Sequence, residues 1–280
     1  MPKVAAATGG SMRHRLQTIF AIFLAMSLLY CAPGKAAAGT PYNRQELRAL
    51  LREILREDPG LVLDILRENS EFVLDVAQQG ADLRRQKILM AQWKQDLGHP
   101  KSVKLENRPT VGPANAPVTI VVFTDFTCVY CQQAEMTIQR LLGLYGEKIR
   151  VVYKSMPMRS HPGALEAAEF MLAAYQQDIP KSWTLFHTLF ASRSKILSNE
   201  GQTFLRSAVS ECGLNLKKLL TDAQGARVQA LIAEDEADAK TLQFEGTPSF
   251  LVNNLIIRGA LQENLFRQAV DLALAESSKK

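Results

Sequence analysis

Acidic residues are missing from the first 38 positions of this chain, cysteine occurs only four times in 280 residues, and no apolar run reaches the roughly 20 residues that cross a bilayer. The missing acids matter because Lys3, Arg13, Arg15 and Lys35 all fall in that stretch. These four account for most of the formal charge of +5: without them 29 basic residues face 28 acidic ones. With no basic motif interleaved with aromatics either, nucleic acid is not an expected partner. The longest apolar run, Leu16 to Tyr30, follows Arg13-His14-Arg15 and precedes Ala36-Ala37-Ala38. That order is that of a secretory leader over residues 1–38, so the expectation is export to the periplasm and cleavage of the leader. Cys31 sits behind the bulky Tyr30, where lipoprotein signals carry a small residue, which argues against lipid attachment.

Loss of the leader leaves Cys128, Cys131 and Cys212, too few for a disulfide framework even in an oxidising compartment. A structural zinc site would need two further ligands from Cys212, His99, His161 or His187, and none has paired-ligand spacing. No cofactor is therefore expected. Met156, Met158 and His161 could add soft or borderline donors to the two thiolates, and the alternative to an enzyme is an exported non-enzymatic oligomeric surface or copper-handling protein. With 47% hydrophobic and 22% charged residues the chain is globular, and its length allows one sizeable core plus an accessory region.

Residues 39–97 read as a helical arm. Leu47, Leu50, Leu51, Ile54 and Leu55 follow the i, i+3, i+4, i+7, i+8 pattern of an amphipathic stripe. Leu55-Arg56-Glu57-Asp58 with Val62-Leu63-Asp64 recurs 11 residues later as Leu66-Arg67-Glu68-Asn69 with Val73-Leu74-Asp75. Asp58-Pro59 and Asn69-Ser70 look like helix N-caps. An arm with an apolar stripe but little bulk must pack on the main domain or on copies of itself, and a homo-oligomer, trimer or dimer, is the expectation. Residues 98–117, with Gly98, Pro100, Pro109, Pro113 and Pro117, form a linker into residues 118–280.

Val118 to Phe123 is an unbroken β-branched run, as in a central strand covered on both faces, and a helix from Cys128 to about Tyr145 and a strand Ile149 to Tyr153 follow. Helical pattern then fills about 162–244, with Trp183, Phe186 and Phe190 at helical spacing as its core. Ser249 to Val252 and Leu255 to Arg258 form a hairpin around Asn253-Asn254, and Leu261 to Ala275 closes as a helix. This order describes an α/β thioredoxin fold with a helical insertion, preceded by an all-α arm.

Cys128-Val129-Tyr130-Cys131 lies directly after a strand and opens a helix, the context that makes C-x-x-C a redox motif. At a helix N-terminus, free backbone N–H groups and the macrodipole stabilise an anion, so the Cys128 thiolate is favoured. Cys131, one turn in, is the more buried, resolving thiol. Cys128 attacks a foreign disulfide and Cys131 releases it; the reverse sequence donates a disulfide. Cys212, just before Gly213, reads as a small buried hydrophobe.

Ala116-Pro117 through Phe123, Asp125-Phe126, the Cys-Val-Tyr-Cys motif, His161-Pro162 and Gly246-Thr247-Pro248-Ser249-Phe250 together resemble the DsbA-like periplasmic thiol oxidoreductases, over about residues 110–276. Within them the chain is most similar to the ScsC and Com1-like branch, whose members carry a helical N-terminal extension. The resemblance implies that Pro248 is a cis-proline facing the cysteines, that Thr247 offers its backbone to extended substrates, and that the protein forms or isomerises disulfides. It implies as partners unfolded or misfolded exported proteins with cysteines and a membrane redox partner that resets the pair. Isomerisation is the leading subclass, because an oligomeric arm distinguishes isomerases of this superfamily. Two positions depart from the family: Val122 stands where relatives carry a buried Glu, and Val129 replaces the usual proline. Asp125 is the candidate substitute for that Glu, and His161 is expected to cap or orient the next helix.

Overall fold

A computed structural model describes residues 43–279. The expected leader, with Cys31, lies outside the described residues. Contacts divide the chain into two compact units, one ending at Val76 and one beginning at Ala77, inside a long helix.

The described part of the first unit is helical: α1 (Arg44–Glu57), α2 (Pro59–Glu68) and the start of α3 (Ser70–Leu97). Asn43 opens α1 with a capping box. Its side-chain oxygen accepts from the N–H groups of Gln45 and Glu46, both at 2.9 Å, while the Glu46 carboxylate accepts the Asn43 N–H at 3.2 Å. Asp58 precedes Pro59 at the start of α2 but makes no side-chain cap bond. Asn69 opens α3 through its carbonyl, which accepts the Val73 N–H at 3.0 Å, but its side chain does not cap that helix: the amide donates back to Ile65 O at 2.8 Å and closes α2. Neither α1 nor α2 buries a single residue.

The second unit is built on a five-stranded sheet in the order β1-β3-β2-β4-β5, comprising β1 (Thr110–Val111), β2 (Val118–Thr124), β3 (Ile149–Ser155), β4 (Ser249–Val252) and β5 (Leu255–Arg258). β2 and β3 run parallel and are joined through α4 (Val129–Tyr145); β4 and β5 are antiparallel additions. The apolar run of β2 is explained by two cores. Val118, Ile120 and Val122 pack on the face shared with α4, and Val121 and Phe123 face a smaller cluster with Leu242, Phe244 and Leu251. β1, a two-residue edge strand paired with β3, lies where only linker was expected.

Between β3 and β4 stand α5 (Ala164–Gln177), α6 (Ile179–Ala191), α7 (Arg193–Ile196), α8 (Gly201–Glu211), α9 (Leu216–Ala223) and α10 (Ala226–Thr241). The turn into α5 needs Gly163: its φ is +72°, and a Cβ there would meet Ile196 Cγ2 at 2.8 Å. α11 (Glu263–Ser277) closes the chain. The C-terminal half of α3 belongs to this unit, where Trp93 is fully buried and donates its indole N–H to Ile256 O at 3.1 Å.

A buried ionic cluster fixes α10 to the sheet. The Lys154 ammonium meets Asp235 at 2.8 Å and Asp238 at 2.6 Å. Arg108 bridges Asp235 and Glu234, and Asp235 also accepts the Ser155 N–H at 2.7 Å. Lys154 and Asp235 are both fully buried, so each charge depends on the other for its solvation.

Candidate active site

The cysteines stand where the parallel strand hands over to the helix. Cys128 is the N-cap of α4, extended at φ −82° and ψ 124°, and Val129 is the first helical residue. The Cys128 N–H donates to Asp125 O at 3.1 Å, and the Asp125 N–H points at the Cys131 sulfur at 3.5 Å, so one residue braces both cysteines through its backbone. Cys131 is fully covered, Cys128 nearly so, while Val129 and Tyr130 between them are exposed.

The Thr247–Pro248 peptide is cis. The Thr247 carbonyl lies 3.4 Å from the Cys128 sulfur and accepts from its thiol. A cleft of about 720 Å³ runs past Thr247, Pro248, Gln243, Glu245 and Arg258. A second, of about 590 Å³, shares Gln243 and Glu245 and continues to Phe244, Met156 and Met158. A third, of about 740 Å³, is lined by residues that include His161, Glu166 and Arg206.

The two thiols are driven apart electrostatically. The Cys131 thiol donating to the Cys128 sulfur lowers the Cys128 pKa most; burial opposes it, and the Cys131 N–H, Thr247 and the Tyr130 N–H help, bringing it to about 5. Burial, and then its hydrogen bond to the Cys128 thiolate, push Cys131 far above the ordinary thiol range. A thiolate at the helix start beside a more deeply buried thiol is the arrangement thiol–disulfide exchange requires.

Residues 104–272 match the thioredoxin family. The chain belongs to that family. Of the solved structures, a thioredoxin-like oxidoreductase from Silicibacter pomeroyi DSS-3 is 32% identical, aligned over 60% of this chain and 92% of its own, with a TM-score of 0.54. ScsC of Proteus mirabilis in a transitional conformation shares the fold over 86% of this chain and 99% of its own, at 19% identity and a TM-score of 0.52. The Na(+)/H(+) antiporter NhaA 3 of Salinispora tropica is 32% identical over 167 residues, which is 59% of this chain and 24% of the antiporter. The chain thus spans about a quarter of the length of the curated relatives it matches, and among its described residues no helix is long and apolar enough to cross a membrane.

Other residues singled out in this thioredoxin-family chain fall into place as follows. Asp125 and His161, expected to act separately, are joined: His161 Nδ1 lies 2.9 Å from Asp125 Oδ2. The second carboxylate oxygen accepts from Thr127 N at 2.7 Å and Thr127 Oγ1 at 2.5 Å. Met158 contributes its N–H to the same carboxylate, and Met156 packs on the second core. Trp183, Phe186 and Phe190 do more than fill the insertion. The Phe190 ring packs at 4.7 Å, tilted by 51°, against Phe126, two residues before Cys128, and Gln132 of α4 donates to Phe190 O at 2.7 Å. Cys212 ends α8 half-buried against the main core, and burial raises its pKa. Sequence reasoning missed Glu135 and Tyr153, a buried acid and a buried phenol on the face that carries Cys131. The one available signal was the four-residue spacing of Cys131 and Glu135.

Proposed function

We propose that this chain is an exported, periplasmic thiol–disulfide oxidoreductase that forms or isomerises disulfide bonds in secreted proteins. The observation that carries the reading is the position of Cys128: at a helix N-cap, with a pKa of about 5, beside a buried second thiol and a backbone carbonyl. Cys128 attacks the substrate disulfide, and Cys131 resolves the mixed disulfide or, in the oxidising direction, leaves as the thiol. Thr247 offers extended polypeptide a strand-like edge, and the exposed Val129 and Tyr130 border the attacking sulfur. The clients are unfolded or misfolded exported proteins with cysteines, and a membrane redox partner resets the pair.

Isomerisation is the leading subclass because of the arm. Leu51 is 57% and Phe72 68% exposed, in a unit whose first two helices have no buried residue. Each such side chain gains roughly 1.5–3 kcal/mol on full burial, enough for several together to offset the entropy of association. The occupant is a second copy of the chain, in a dimer or trimer that brings several Cys128 sites to one misfolded substrate.

Cys131→Ser tests the assignment: it should accumulate mixed disulfides between Cys128 and substrates. Accumulation in Cys128→Ser instead would reverse the roles.

A further inference from the structure

The two sulfurs of the active site are served by different backbone donors. Besides the Cys131 thiol, the N–H groups of Cys131 and Tyr130, in the first turn of α4, favour the Cys128 thiolate. The backbone donor to Cys131 is instead the N–H of Asp125, the first residue beyond β2, which lies 3.5 Å from the sulfur.

Cys131 must carry charge when it leaves. In the oxidising direction a substrate thiolate attacks the Cys128 sulfur, a bond forms between them, the Cys128–Cys131 bond breaks, and its electron pair departs on Cys131. The negative charge thus passes from the substrate sulfur to a side chain that is only 1% exposed, where water cannot stabilise it. Burial, followed by the hydrogen bond to Cys128, holds the Cys131 pKa far above the ordinary thiol range, and a leaving group of high pKa departs slowly; the Asp125 N–H is among the groups that pull the other way.

A donor is most effective when it is fixed before the charge arrives. Asp125 is fixed by its own side chain, which is fully buried and accepts four hydrogen bonds. Oδ1 takes the Thr127 N–H at 2.7 Å and the Thr127 hydroxyl at 2.5 Å; Oδ2 takes the Met158 N–H at 3.1 Å and meets His161 Nδ1 at 2.9 Å. The Thr127 bonds fold the chain into an Asx turn directly after β2. The other two come from the segment after β3, which is itself tied to β2 by the Met156 N–H on Thr124 O at 2.9 Å. A carboxylate offers about four acceptor positions, so none is left for a thiol proton, and the contribution of Asp125 to Cys131 runs through its peptide.

We propose that the Asp125 N–H is the hydrogen-bond donor to the Cys131 sulfur as it leaves Cys128, and that Thr127 and His161 are positioning residues that aim it through the Asp125 carboxylate. The inference rests on the exchange chemistry proposed above. The reverse step, attack of the Cys131 thiolate on a mixed disulfide at Cys128, passes through the same transition state and uses the same donor.

The test compares two steps on the full chain with Cys31→Ala and Cys212→Ala. In the first, the reduced protein attacks 5,5′-dithiobis(2-nitrobenzoate), and the leaving group is the coloured nitrothiobenzoate. In the second, the disulfide form is mixed with dithiothreitol, samples are quenched in acid and alkylated, and the initial rate of appearance of free Cys131 is read. Each second rate is divided by the first rate of the same variant. Asp125 O also accepts the Cys128 N–H, so a merely structural role would slow both steps and leave the ratio alone. The ratio should fall about tenfold in Asp125→Asn and about threefold or more in His161→Ala and Thr127→Val, less than the roughly 10²–10³-fold lost when a donor is removed outright. Thr127→Ser, which keeps the hydroxyl, should recover most of what Thr127→Val loses. His161 is partly exposed and Thr127→Val keeps the shape of the side chain, so these two carry the test if Asp125→Asn does not fold. An unaltered ratio in both overturns the proposal. So does a ratio in Thr127→Ser no higher than that in Thr127→Val. Failure of the reduced, unaltered chain to release nitrothiobenzoate would instead contradict the assignment of Cys128.

Discussion

Leucine, isoleucine and valine recur in both units of this chain and meet opposite fates. From Ala77 onward most of them fill two cores around the sheet, and Ile120, Leu141, Val151, Leu185 and Leu255 have no exposed surface. Before Ala77, Leu47, Leu51, Leu63 and Ile65 remain half exposed on α1, which carries a full capping box, and on α2. Local rules were satisfied equally in both; partners were not. An amphipathic stripe fixes where a helix can bury itself, but a core needs a second layer, and α1 and α2 are too short a unit to supply one. The contrast separates a unit that carries the chemistry from one whose apolar face is available to another chain.

The largest effect that would sharpen this contrast is at the cysteines: Cys128→Ser should abolish disulfide exchange while the far-UV circular dichroism stays that of the unaltered chain. Next come substitutions in the second unit. Lys154→Met, which leaves Asp235 short of its counter-charge, and Trp93→Ala, which empties a fully buried site, should each cost about 3–5 kcal/mol in urea unfolding. Phe72→Ala and Leu51→Ala should change unfolding of the dissociated chain by less than about 0.5 kcal/mol. Their effect should appear in light scattering as a shift to monomer. Deleting residues 39–76 should likewise give a folded monomer that oxidises dithiols but isomerises scrambled disulfides poorly. Deletion through Leu97 also removes Trp93 and should destabilise the domain. Loss of stability in Phe72→Ala comparable to that in Trp93→Ala would break the contrast.

Much of the second unit was legible from patterns that depend on local chemistry. The β2 run, the C-x-x-C motif at a helix start and the Asn253-Asn254 turn all read correctly because backbone geometry there is set by nearby residues. Asn253 indeed takes a positive φ of 49°. The rest was hidden by the same rules. No local pattern marks Lys154, Arg108 and Asp235 as buried, since only the fold pairs them, across as many as 127 residues of sequence. β1 is two residues long, below any periodicity, and Trp93 looked like part of the arm until the β5 backbone offered it an acceptor. Nothing local marks Glu135 as buried, and Tyr153 beside it is covered by Trp183 and Phe186 of the insertion.

Proton linkage provides the finer effects. Cys128 releases its proton at about 5 in the folded, reduced chain and near 9.0 when unfolded, so the unfolded chain binds more protons between those values. The reduced protein should therefore gain stability as pH rises from about 5 toward 9, and lose that gain as pH falls through 5. Glu135 acts with the opposite sign. Its raised pKa stabilises the fold fully below 4.5, and that contribution disappears as pH rises through about 7. Glu135→Gln should accordingly unfold less readily than the unaltered chain at pH 8. The disulfide form, with no Cys128 thiol to ionise, should lack the gain that comes from Cys128.

The most direct test of the redox site is the ionisation of Cys128 itself, followed by thiolate absorbance at 240 nm in the reduced chain and in Cys128→Ser as a blank. A single thiolate titrating with a midpoint near 5, absent from the blank, is the expected result. A midpoint near 8.5, the value of an ordinary exposed thiol, would contradict the assignment of Cys128 as the activated nucleophile.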